Sequence, residues 1–251
     1  MSSNRLKMNP DKTEVAIFTS RPNAGIAKSA SIKVAGDVIT FSSDLKYLGV
    51  WLDSHLSMDK HIANKCKTAI HNIRCISNIR RFIDVNTAKM LATSLVLSHL
   101  DYSNSVLCGL PKKSLTKLQR VQNWAAKIVL QREKLSDSRD ALKTLHWLPV
   151  KERIDFKILC LVYKCLNKQA PDYLASLLKV KEHQRTTRSS TNLGITLEEP
   201  AVRKSTFAAR SFSVKGPQLW NAISVEAKSQ KTFYSFKRSI KTFLFRRAYA
   251  T

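Results

Sequence analysis

Acidic residues are scarce. The 251 residues carry 43 Lys and Arg against 18 Asp and Glu, a formal net charge of +25 at pH 7, and such an excess repels cations while collecting phosphates and carboxylates. Glycine and proline are scarce as well, at 6 and 7 residues, which excludes a low-complexity chain and favours long helices over a loop-rich fold. No run approaches the roughly 18 apolar residues of a membrane-spanning helix, and Met1 leads into polar SSNRLKMNPDK in place of an apolar signal core. Secretion and membrane insertion are therefore not expected. Adjacent aspartates are missing throughout, as are GxxxxGK[ST], GxGxxG, HExxH and GxSxG, so the common nucleotide-binding, metalloprotease and hydrolase signatures all fail. The five acids of residues 1–57, Asp11, Glu14, Asp37, Asp44 and Asp53, are dispersed and never adjacent, unlike the clustered carboxylates of a two-metal site. Nothing in these residues marks an enzyme.

What is present suffices for a core: 43% of residues are hydrophobic and 8% aromatic, enough for one or two compact domains. Five cysteines, an odd number, point to a reducing compartment and read as small buried hydrophobes. His61, Cys66, His71 and Cys75 are the one cluster with ligand types, yet at about 100° per residue only His71 and Cys75 share a helix face, so a four-ligand zinc site is not expected. Charge is unevenly spread. Residues 1–57 hold 7 bases and 5 acids, residues 58–170 hold 21 and 8, and residues 181–251 hold 14 and 4.

Residues 13–19, 31–40 and 45–52 are rich in β-branched and aromatic side chains, with Gly36-Asp37 placed as a hairpin turn, and predict a small antiparallel sheet. From Asp53 the period changes. Ile62, Cys66, Ala69, Ile73 and Ile76 form an amphipathic stripe over 58–82. Asp84 or Asn86 is suited to cap a second helix to about His99, Pro111 to open a third to about Gln131, and Ser136 or Asp137 to cap a fourth. Residues 150–167 predict a fifth helix, Pro171 opens a sixth, and Phe233, Phe236, Ile240 and Phe243 mark a last. Polar residues 181–200 read as a linker, KERIDFK as a solvated helix face, and Leu219-Trp220 as a docking anchor. The fold class is α+β: a small antiparallel sheet remnant at the N-terminus followed by a mostly α-helical body.

Two cation tracks stand out. Lys60, Lys67, Arg74 and Arg81 recur every seven residues, so they lie about 10 Å apart along one side of a helix. Lys113, Lys117, Arg120, Trp124, Lys127 and Lys134 follow along the third helix, opposite a core stripe of Leu118, Val121, Ala125 and Ile128. Neither track contains an acid, and cations with an interleaved aromatic suit a phosphate backbone and a stacked base. The competing readings are a lysine-rich face kept for solubility and, for Trp124, a plain core residue.

The run Asn9-Pro10-Asp11-Lys12-Thr13-Glu14, then Lys46-Tyr47-Leu48-Gly49-Val50, resembles the segments that follow the catalytic motif in reverse transcriptases of non-LTR (LINE-type, jockey-like) retrotransposons. HLDYSNSVLCGLP (99–111), KLQRVQNWAAKIVL (117–130), LHWLPVKERIDFKILCLVYKCLN (145–167), APDYLASLL (170–178) and RSFSVKGPQLWNAI (210–223) resemble blocks of the carboxyl-terminal part of those polymerases. The resemblance covers nearly the whole chain. It implies that Lys12 lies near the incoming nucleotide's phosphates, that Tyr47, Leu48 and Gly49 form a primer-grip turn, and that the helices from 58 onward are the thumb holding template–primer duplex. By the same resemblance, residues 1–57 are the end of the palm, 58–180 a helical thumb-like region, and 181–251 a linker and C-terminal extension. The family's Tyr/Phe-x-Asp-Asp turn and its further upstream aspartate are absent from these residues, so the Mg ions of the parent family have no ligands here and no cofactor is expected.

The implied partner is an RNA or RNA–DNA duplex bound without sequence preference, with the missing palm half or another chain as a protein partner and no membrane. The alternatives are a helical packing module and a decayed element copy with no present function. Nuclear residence would suit the family, but Arg80-Arg81, Lys112-Lys113 and Arg246-Arg247 are pairs, shorter than a localisation run of about five to eight basic residues. Location is read as intracellular, nuclear or cytoplasmic.

Overall fold

The computed structural model describes residues 9, 13–18, 31–34, 37–181, 195–202 and 207–250. The fold is α+β. Two antiparallel hairpins come first, β1 (Ser31–Val34) with β2 (Asp37–Thr40) and β3 (Asp44–Tyr47) with β4 (Val50–Asp53). They form two separate two-stranded sheets, not the single sheet expected. Residues 13–18 supply no strand beyond one bridge from Val15 to Phe41, and the expected strand over 45–52 is folded in two by the turn at Leu48-Gly49. Gly36 lies outside the described residues.

The helical body is built as its capping residues dictate. Helix α1 (Asp59–Ile79) runs into a 3₁₀ turn over Arg80–Phe82. Asp84 accepts from the Thr87 and Asn86 amides to start α2 (Val85–Ala92), which continues through a π-helical turn, Thr93–Leu97, into α3 (Ser98–Asp101). Proline immediately precedes α4 (Lys112–Val129), α6 (Val150–Leu166) and α7 (Asp172–Ala175), at Pro111, Pro149 and Pro171, where its fixed φ opens a helix without sacrificing a needed N–H. Asp137 caps α5 (Ser138–Thr144), and α8 (Phe212–Asn221), α9 (Val225–Lys228) and α10 (Phe233–Tyr249) complete the body.

The chain separates into two compact units, residues 1–64 and 65–251. Within the second, α6 is the hub, packing against α4, α7, α8 and α10. Tyr163 of α6 stacks on Phe236 of α10 at 4.3 Å between ring centroids, Trp220 of α8 lies 5.8 Å from the same ring, and all three side chains are almost fully buried. A Cβ added to Gly216 of α8 would meet Val162 Cγ2 at 3.1 Å, so the missing side chain sets how closely α8 approaches α6. Trp220 donates its indole N–H to Ile195 O at 2.9 Å, and Asn221 bonds both backbone groups of Leu197. Residues 195–199 of the expected linker are thus strapped to α8, while 182–194 lie outside the described residues.

Helix α4 meets α6 through a buried amide network. Gln122 donates to Leu148 O at 2.8 Å, Gln119 donates to Gln122 Oε1 and accepts the Val150 amide, so a helix-start N–H that would otherwise lack an acceptor is satisfied. The KERIDFK stretch is not a solvated face. Asp155 is buried and accepts from Arg247 of α10 at 2.5 Å, and Arg153 forks onto Asp101. Burial of Glu152 holds its carboxyl above the usual range despite the nearby Arg247. No helix among the described residues is long and apolar enough to cross a membrane.

Candidate nucleic-acid interface

Seven-residue spacing does give α1 a cationic side. Ile62, Ala69, Ile73, Ile76 and Arg80 are buried, and Lys67, Arg74 and Arg81, all exposed, lie about 130° around the helix from that stripe at 100° per residue. Lys60 departs from the expected track. In the first unit its ammonium bonds Asp44 at 2.8 Å and sits 4.1 Å from the centre of the Trp51 ring, so it closes the β3–β4 hairpin against the start of α1.

Arg80 and Arg81 are neighbours with opposite fates. Arg81 stacks on exposed Phe82, 4.6 Å from the ring centre. Arg80 is buried and donates Nε and Nη2 to Val129 O at 3.0 and 2.7 Å, and Nη1 to Ile83 O at 2.7 Å. A cation is thereby placed on the carbonyl end of α4, where the helix dipole favours it. At the other end of the same pair of helices, burial pushes the Cys66 thiol up and the Lys117 ammonium opposes the shift. Arg80 thus ties the end of α1 to the last turn of α4.

On α4 the buried stripe is Ser114, Leu118, Val121, Gln122, Ala125, Ala126 and Val129. Ile128, expected in that stripe, is half-exposed instead. Lys113, Lys117 and Arg120 are exposed, Trp124 and Lys127 half-buried, and the five lie about 140° from the stripe. Lys134 is not on the helix, which ends at Val129. A turn brings it back, and Lys127 Nζ donates to Lys134 O at 2.6 Å. A half-open cavity of about 670 Å³ lies there, walled by Arg120, Trp124, Lys127, Ile128, Arg132 and Lys134. Asn123 and Arg132, which also line it, were not singled out in the sequence, and Ile128 was read as core; only the turn after α4 brings Arg132 and Lys134 to the side of the helix that carries Trp124.

The hairpin residues Tyr47, Leu48 and Gly49 do form a tight turn. Tyr47 pairs with Val50, and Leu48 and Gly49 both adopt positive φ, 44° and 78°, the two-residue turn whose twist matches antiparallel strands. Tyr47 and Leu48 are exposed. Lys12 lies outside the described residues.

Among the described residues no group of three or more His, Cys, Asp or Glu side chains converges. Asp44 is held by Lys60, and Asp53 accepts the Ser57 and Met58 amides at 2.9 and 2.8 Å. His71 Nε2 and Cys75 Sγ face each other at 3.8 Å, whereas Cys66 is half-buried and His61 accepts the Trp51 amide. Burial pushes the Cys108 and Cys160 thiols up to about 11, so they stay protonated and unreactive near neutral pH. Comparison with protein-family models, curated proteins and solved structures returns no match.

Proposed function

We propose that this chain is a carboxyl-terminal segment of a non-LTR retrotransposon reverse transcriptase, and that its helical body holds a template–primer duplex by the phosphate backbone without reading sequence. The observation that carries the reading is the pair of helices α1 and α4, tied at their C-terminal ends by Arg80, whose outward sides present Lys67, Arg74, Lys113, Lys117 and Arg120 with no acid among them. Cations repeated along the outward side of a helix, about 10 Å apart on α1 and closer on α4, meet phosphates of a strand without reaching base edges, so they position a duplex and do not specify it. An A-form RNA or RNA–DNA helix is recognised by shape and backbone in this way. The exposed Tyr47-Leu48-Gly49 turn is the grip on the primer strand that the family resemblance suggests. Polymerisation itself would need carboxylates that these residues do not supply.

The test is the salt dependence of duplex binding by the full chain. Reversing Lys67, Arg74 and Arg81 to Glu together lowers the slope of log K against log salt by about 2 to 3, since each neutralised phosphate contributes about 0.9. An unchanged slope removes that side of α1 from the interface. A second reading, a helical interaction module, is favoured by Phe82, in the turn after α1, and Met90, on α2, which are 73% and 67% exposed. Concentration-dependent self-association that Met90→Lys abolishes would favour that reading.

A further inference from the structure

The turn after α4 builds something that a duplex track does not require. Arg132 N–H bonds Lys127 O at 2.9 Å and Gln131 N–H bonds Ile128 O at 3.1 Å, with Gln131 at φ 51°. This is a Schellman cap, and it turns the chain sharply enough to bring Lys134 over the last turn of the helix. The cavity of about 670 Å³ so enclosed falls within the size range of small-ligand sites, about 300 to 1,000 Å³.

Its chemistry is one-sided. Trp124 and Ile128, one turn apart, make an apolar wall, and no carboxylate lines the cavity. Lys127 is spent on Lys134 O, and Arg132 on Asp140 and Thr144. Among the described residues the Arg120 guanidinium and the Lys134 ammonium have no carboxylate partner. The Trp124 indole N–H likewise has no acceptor among the described residues, in contrast to Trp220, whose indole bonds Ile195 O. A flat π-face, an in-plane donor and two uncommitted cations at the mouth match one ligand class: a flat heteroaromatic ring with acceptor atoms on its edge, carrying a phosphate. A base inside a duplex cannot enter, because both its faces are already stacked. An acidic peptide would use the cations but leave the indole face without a stacking partner.

We propose that this cavity captures a single unpaired nucleotide from a single-stranded RNA or DNA extension adjoining the bound duplex, its base stacked on Trp124 and its phosphate between Arg120 and Lys134. The proposal rests on the nucleic-acid reading above and adds a site for unpaired strand to it. Stacking on an aromatic side chain contributes about 1 to 3 kcal/mol per base, or about 5- to 150-fold in affinity.

The experiment compares two probes on the full chain by fluorescence anisotropy: a blunt RNA–DNA duplex, and the same duplex with a five-nucleotide single-stranded extension. The extended probe is expected to bind at least 5-fold tighter, with Trp124→Ala bringing the ratio of the two affinities to near one. Ile128→Glu, a change at a half-exposed site that keeps the fold if Trp124→Ala does not, is expected to do the same. The triple reversal of Lys67, Arg74 and Arg81 weakens both probes alike and leaves the ratio intact. No advantage for the extended probe, a ratio that survives both cavity variants, or displacement of the extension by poly-glutamate as readily as by oligonucleotide would each overturn the proposal. Rail-dependent duplex binding without that advantage sinks the cavity alone. Trp124-dependent binding of the extension without affinity for the blunt duplex sinks the duplex reading and keeps the cavity.

Discussion

Arg80 and Arg81 offer the sharpest test of the structural reasoning, because two identical adjacent residues are assigned unrelated work. Three N–H groups of Arg80 reach two carbonyls, Val129 O and Ile83 O, at 2.7 to 3.0 Å. Hydrogen bonds from a charged donor contribute about 1.5 to 3 kcal/mol each, and a buried carbonyl left without a donor costs about 1 to 3 kcal/mol. Against this stands the cost of keeping a guanidinium out of water, several kcal/mol that truncation returns. The balance predicts that Arg80→Ala destabilises the chain by about 2 to 4 kcal/mol, and Arg80→Lys, which keeps the charge but loses the fork, by about 1 to 2 kcal/mol. Arg81→Ala, at an exposed position, should stay within about 0.5 kcal/mol. Urea unfolding with an unchanged m-value gives the stability difference. The binding experiment reverses the order: Arg81→Ala lowers the salt slope by about 0.9, and Arg80→Ala, measured where it remains folded, does not. Equal stability losses for the two alanine variants would refute the assignment, and with it the claim that Arg80 fixes α1 beside α4.

Three helices, α4, α5 and α6, end in the same cap with a residue other than glycine in the left-handed position: Gln131, His146 and Lys168, at φ 51°, 54° and 54°. Replacing each with glycine should stabilise the chain by about 0.5 to 1 kcal/mol per site, read as a rise in melting temperature, since the relief of αL strain outweighs the added freedom of the unfolded chain. At Asp53, burial favours the neutral acid, but the amides of Ser57 and Met58 more than offset it and hold the carboxyl below its ordinary value. A depressed folded pKa contributes stability that is present above the unfolded value and disappears as pH falls through the folded one. Asp53→Asn should therefore cost about 1 to 2 kcal/mol at pH 7, with the gap to the parent chain closing below about pH 4 in thermal unfolding across that range.

Helices were legible where a single residue carries the signal. Asp84, Asp137 and the prolines at 111, 149 and 171 stand where their side-chain chemistry acts, on the first turn. The hairpins were less so: Leu48 takes a positive φ that its sequence does not advertise, and the run 45–52, read by composition as one strand, is two, its turn at Tyr47-Leu48-Gly49 signalled only by the family resemblance. Of the candidate interface, the outward placement of Lys67, Arg74, Lys113, Lys117 and Arg120 followed from period alone, since outward sides of helices need no tertiary information. Lys60 and Lys134 did not, because the first is decided by Asp44 and Trp51 sixteen and nine residues upstream, and the second by a cap built without glycine. The acids of KERIDFK were misread for a related reason: their partner, Arg247, is 92 residues from Asp155 along the chain.

The same ion pairs explain why the cationic field is as clean as it is. Asp44, Asp101, Asp140 and Asp155 each lie against a particular lysine or arginine, and Asp53, Asp84 and Asp137 are spent on backbone amides. Tertiary ties and helix starts thus absorb the few acids, at places dictated by folding. None falls on α4, whose 18 residues hold five bases and no acid, and α1 has only Asp59 in its first turn. An excess of +25 spread evenly would cost stability by self-repulsion and direct nothing. Here the acids are withdrawn from α4 and from all but the first turn of α1 and used elsewhere, so like charges lie together along these helices. If a polyanion binds there as proposed, it relieves that repulsion, and the same placement of charge that weakens the free chain then strengthens the complex.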